Sequence, residues 1–143
     1  MPEWTPFREP VRATARRTLS LAALGGLALA LAWGRLAWWP AATAVALWPA
    51  LGGHWVEVGF LNGLRPRLPA RRAAQVAGRL AVWFVSGAVL GIAMRWTAGV
   101  LTQHRARLPL TWWVAGLGFV GVEVMVHLAA NAAGRPSFVD GRA

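Results

Sequence analysis

The chain has 143 residues, 57% of them hydrophobic and 14% charged, with a mean hydropathy of +0.45 and a net charge of +10. A water-soluble domain carries nearer ~25% charged residues. Every lysine-or-arginine position is an arginine and most of them fall between apolar blocks, so the charge reads as a membrane-topology signal and not as a nucleic-acid surface. The absence of cysteine excludes disulfides, thiolate metal sites and cysteine nucleophiles, and the absence of tyrosine excludes a tyrosine relay.

Residues 1–18 read as a basic cytoplasmic segment, in which Pro2, Pro6 and Pro10 oppose a long helix and Trp4, Phe7 and Val11 suit the headgroup level. Four apolar blocks follow, at 19–39, 41–64, 73–101 and 109–132. Each approximates the ~20 residues with which a helix crosses ~30 Å of hydrocarbon. None alternates with period two, so the spans are expected to be helices and not barrel strands. The expected fold class is all-α. It is an integral membrane four-helix bundle of two transmembrane hairpins, with one domain over 19–132 and a short cytoplasmic tail over 133–143.

Orientation follows from the arginines. With the N-terminus inside, eleven lie on the cytoplasmic side, Arg65, Arg67, Arg71, Arg72 and Arg79 among them, against four outside: Arg35, Arg95, Arg105 and Arg107. Trp33, Trp38, Trp39, Trp96, Trp112 and Trp113 gather near the proposed outer ends, as an interfacial belt does. Both termini are therefore expected inside, in a cytoplasmic (inner) membrane. A competing reading makes Arg16-Arg17-Thr18-Leu19-Ser20-Leu21 the start of a signal peptide cleaved near Ala30-Leu31-Ala32. Cleavage would leave three spans and an outside N-terminus.

Small residues supply helix-packing cues. Gly59 with Gly63, and Gly87 with Gly91, both have GxxxG spacing, which lets membrane helices approach closely. Pro49 lies inside the second block and is expected to kink it.

Two of the five acids, Glu57 and Glu123, fall inside apolar blocks; Glu3, Glu9 and Asp140 are in the tails. The second and fourth blocks run in the same direction, and on them Glu57 and Glu123 lie within about one turn of the same depth. Asn62 and Asn131 match in depth as well. His54 and Glu57 share one helix face, while Glu123, His127 and Asn131, at i, i+4 and i+8, form one stripe. The expectation is a shared interior in which His54 and Glu57 face partners on the fourth helix. Glu57-Val58…Asn62…Arg65-Pro66 faintly echoes Glu123-Val124…Asn131…Arg135-Pro136, as a parallel repeat would. His104, beside Arg105 in the outer loop, reads as solvated.

No phosphate-cradling glycine loop, serine elbow or HExxH motif is present, so the chain does not read as an enzyme. The expected role is a non-catalytic accessory or assembly subunit whose buried Glu and His residues fix helix packing. Its partners would be the lipid bilayer and other membrane subunits or further copies of itself, with no nucleic acid. One alternative is a proton-coupled small-solute transporter or channel using Glu57 and Glu123 with His54 and His127. Another is haem or metal binding, with His54 and His127 as ligands. No cofactor is expected under the first reading.

Overall fold

The computed structural model describes residues 11–106, 108 and 110–134. The expectations for residues 1–10, Arg107, Pro109 and the tail from Arg135 onward lie outside the described residues. Those residues form four long helices and no strand: α1 (Val11–Ala32), α2 (Trp39–Gly59), α3 (Arg72–Leu101) and α4 (Trp112–Ala132). A 3-10 turn at Leu36–Trp38 leads into α2. A π-helical turn (Phe60–Leu64) and a second 3-10 turn (Arg65–Arg67) close it.

The third and fourth apolar blocks coincide with α3 and α4 to within a few residues. The first does not coincide with α1, which begins at Val11 and takes in Arg12, Arg16 and Arg17. Arginine is a good helix former, so a basic flank extends a helix as readily as it ends one. At the other end α1 stops on Gly34 at φ +68°, with Gly34 N–H bonded to Leu31 O and Arg35 N–H to Ala30 O. This glycine-terminated cap ends the helix short of the Trp38-Trp39 pair.

Three helices, α1, α3 and α4, are long and apolar enough to cross a membrane. The second, expected as a span of equal standing, has the length but is less apolar, because Pro40, Pro49, His54 and Glu57 interrupt its Ala/Val/Leu run. It nonetheless continues through Pro49 as one helix.

Each helix packs mainly on its neighbours in sequence, α1 on α2, α2 on α3 and α3 on α4. The contacts run antiparallel throughout. Gly26 meets Thr43 while Arg17 meets His54, Gly52 meets Leu90 while Glu57 meets Arg79, and Gly91 meets Ala115 while Gly87 meets Phe119. The start of α1 and the end of α4 therefore lie at the same end of the molecule. Helix α3 stands between the parallel pair α2 and α4, so any traffic between those two passes through it.

The interior is built from small side chains. Ala22, Ala30, Ala42, Ala98 and Ala115 are buried, and Val45 is the large side chain most completely enclosed. Large apolar groups point outward instead, among them Leu24 (66% exposed), Trp55 (70%) and Met125 (70%). A water-soluble fold would bury such groups, at ~1.5–3 kcal/mol each. Tryptophans tie the helices at two points. The Trp39 indole donates to Ala23 O at 2.9 Å and the Trp48 indole to Thr97 Oγ1 at 2.8 Å.

Glycine matters where backbones close on one another. A methyl group at Gly87 would sit 2.7 Å from Phe119 Cβ, and one at Gly91 would collide with Ala115. At Gly59 and Gly63 it would meet nothing within 4 Å, so the packing expected there is not made among the described residues. Leucine at Gly87 or Gly91 is accordingly expected to lower stability by ~1–3 kcal/mol or more in reversible unfolding in mixed micelles. Leucine at Gly59 or Gly63 should leave it unchanged or slightly raised.

Candidate functional site

The polar centre lies where α2, α3 and α4 meet. Glu57 stands near the end of α2, and the π-helical turn that follows sets Phe60 inward, 3% exposed. Arg79 stands in the second turn of α3, ~10 Å from its start, and Glu123 just past the middle of α4. The antiparallel register brings the three to one level.

Arg79 is the hub. Its Nη2 donates to both carboxylate oxygens of Glu57, at 2.7 and 2.6 Å. Its Nε donates to Oε1 of Glu123. The same Glu123 oxygen lies 2.8 Å from Nε2 of His127, one turn further along α4. The Arg79 guanidinium also lies 5.3 Å from the Phe60 ring centre, a distance at which the ring face attracts a cation. Arg79 is 2% exposed and Glu123 5%. Charged groups taken this far from water are retained only when paired and hydrogen-bonded.

Arg79 was expected among the cytoplasmic anchors. The structure corrects that assignment, because its side chain turns into the interior and not toward an aqueous face. Two signals in the sequence point to it. Two buried acids call for a cation, and Arg79 is placed inside the third apolar block at a depth matching Glu57. The expected partnership of Glu57 with the fourth helix is likewise altered. Glu57 and Glu123 do come to one place, but each meets the arginine of the helix between them.

The other residues distribute differently. His127 joins the network through Glu123. His54, a turn before Glu57, has its Nδ1 3.2 Å from Nη2 of Arg17 on α1. Asn62 is exposed in the π-helical turn and Asn131 is exposed in the last turn of α4. The two histidines thus have different partners, on different helices. Among the described residues no group of three or more His, Cys, Asp or Glu is arranged to hold a metal ion.

Chemically, the set comprises two carboxylates, one guanidinium and one imidazole. With the imidazole neutral it carries one negative charge; with a proton on the Glu123–His127 pair it is neutral. The arrangement can bind three helices together.

Comparison with family models, with curated proteins and with solved structures finds no match to this chain. The site rests on its own geometry. Replacing Arg79 with methionine strands two buried carboxylates and is expected to cost ~3–5 kcal/mol in reversible unfolding in mixed micelles. Alanine at the exposed Asn131 should cost no more than ~0.5 kcal/mol in the same measurement.

Proposed function

We propose that this chain is a small multi-pass membrane protein, with four spans and both termini cytoplasmic, acting as a non-catalytic accessory or assembly subunit. The observation that carries the reading is the engagement of both intramembrane acids by one buried arginine. An acid presented singly to lipid costs ~2.5–3.5 kcal/mol on the insertion scale. Pairing Glu57 with Arg79 offsets that cost and lets the less apolar α2 cross beside α3. The apolar exterior and the small-residue interior support the same placement, since lipid accepts the outward side chains and close backbone approach holds the helices. A subunit of this kind presents a fixed helical surface to its partners, and the ion network joining three helices is what fixes it.

A second reading, proton-coupled movement of a small solute, has one observation in its favour. The side chains of Glu57 and His127 keep 19% and 15% exposure, so the ion network is not wholly sealed from its surroundings. Proteoliposome flux separates the two readings. The accessory role predicts no pH-driven flux and no change on Glu123→Gln, whereas a transporter loses flux in that variant.

Topology is directly testable because the chain has no cysteine. A single cysteine placed at Gln103 should react with an impermeant maleimide in intact cells. One placed at Ala70 should react only after permeabilisation. The reverse pattern would invert the orientation, and labelling of both sites in intact cells would remove α3 as a span.

A further inference from the structure

Opposite the ion network, the C-terminal end of α3 and the N-terminal end of α4 enclose a crevice with two adjoining lobes of about 600 and 790 Å³. Small-molecule sites fall in the range of roughly 300–1,000 Å³. Arg95 and His104 line both lobes. Trp96, Trp112 and Trp113 line the more apolar one, together with Ile92.

The way His104 reaches this place is specific. Helices α1 and α4 each run out into a glycine of positive φ, Gly34 and Gly134. Helix α3 instead ends on Gln103 and His104, at φ +51° and +60°. Non-glycine residues adopt this conformation only where their surroundings enforce it. Here His104 N–H bonds to Gly99 O at 2.7 Å, and buried Thr102 holds the loop through Ala98 O and Ala106 N–H. The reversed chain lays the Nδ1–Cε1 edge of His104 against Gly99, so close that a methyl group there would lie 3.0 Å from Nδ1. Gly99 and Arg95 share a face of α3 at i and i+4. Imidazole and guanidinium therefore converge on one crevice.

No acid faces them. The two acids among the described residues, Glu57 and Glu123, are both bound at the other end of α3. The crevice thus offers a cationic pole, exposed tryptophans that suit the interfacial layer, and an apolar lobe beside them.

We propose that this crevice binds one anionic glycerophospholipid, its phosphate against Arg95 and His104 and an acyl chain along Trp96 and Ile92. The proposal rests on the membrane placement above and adds a ligand site that the ion network does not provide. Charge complementarity selects the anionic headgroup, and the adjoining apolar lobe selects a lipid over free phosphate.

Native mass spectrometry of the full chain released from a non-ionic detergent tests this. The chain is titrated with phosphatidylglycerol, with phosphatidylcholine of the same acyl chains, and with inorganic phosphate. One saturable phosphatidylglycerol adduct is expected, preferred over phosphatidylcholine by about fivefold, as one unpaired arginine at a membrane surface provides. Arg95→Gln should abolish the preference. Arg71→Gln, an exposed arginine at the opposite end, should keep it. Both are surface changes compatible with folding. Gly99→Val, which displaces the His104 ring, should weaken the adduct as well. Equal retention of the two lipids, an unchanged preference in Arg95→Gln, or displacement of the adduct by inorganic phosphate would overturn the lipid site alone. Recovery of the chain from the aqueous fraction without detergent would overturn the membrane placement and the lipid site together.

Discussion

A single guanidinium buried between two carboxylates sets the terms for the rest of this molecule. Arg79 joins Glu57 on one neighbouring helix and Glu123 on the other, with His127 hydrogen-bonded behind Glu123. The surrounding interior is mostly alanine and glycine, with Val45 and Phe60 among the few larger apolar side chains buried, and most large apolar side chains face out. In lipid those outward groups gain nothing by turning inward, so the hydrophobic effect supplies no force between helices. What remains is close packing and charge. Close packing acts where Gly87 and Gly91 admit Phe119 and Ala115. Charge acts through Arg79, and it also specifies register. A slide of α2 or α4 along α3 by one turn would leave a carboxylate without its cation, whereas packed alanines tolerate such a slide far better.

The helices were legible in the sequence because apolar blocks of membrane length leave few alternatives, and α3 and α4 begin and end close to where composition changes. The start of α1 was less legible. Composition separates arginine from leucine, but helix propensity does not, and α1 runs through its three arginines. The glycine motifs show a further limit. Gly59-x-x-x-Gly63 and Gly87-x-x-x-Gly91 are identical in spacing, yet only the second faces a neighbouring helix, because spacing reports a stripe and not its direction.

The polar site was legible in part for a related reason. Depth and periodicity place Glu57 and Glu123 at one level, and they meet there. Arg79 escaped because arginines were weighed as topology signals, and an arginine seven residues into a helix serves equally as an anchor or as a counterion. His54 shares a face with Glu57 but turns to Arg17, since a helix packed on two sides offers partners to both. Counting charge inside the blocks, two acids against the cations at matching depth, separates these cases better than counting charge between them.

The two ends of α3 do different work. Near its start the helix carries the ion network, in which buried Arg79 is paired with both glutamates. At its far end it stops in a strained, non-glycine cap that presents Arg95 and His104 in an open crevice. Rigid charge pairing at one end and available charge at the other give the molecule a fixed frame with a surface free to bind.

The most direct test of the central claim is the effect of Glu57→Gln on unfolding free energy, measured in two backgrounds. In the natural chain the substitution removes one partner of a buried pair and should destabilise by at least ~1–3 kcal/mol. In an Arg79→Met background the same substitution removes a stranded carboxylate and should stabilise. A reversal of sign between the two backgrounds is the predicted result. The same sign and size in both would mean that Arg79 and Glu57 do not hold one another, and that the helices are assembled by packing alone.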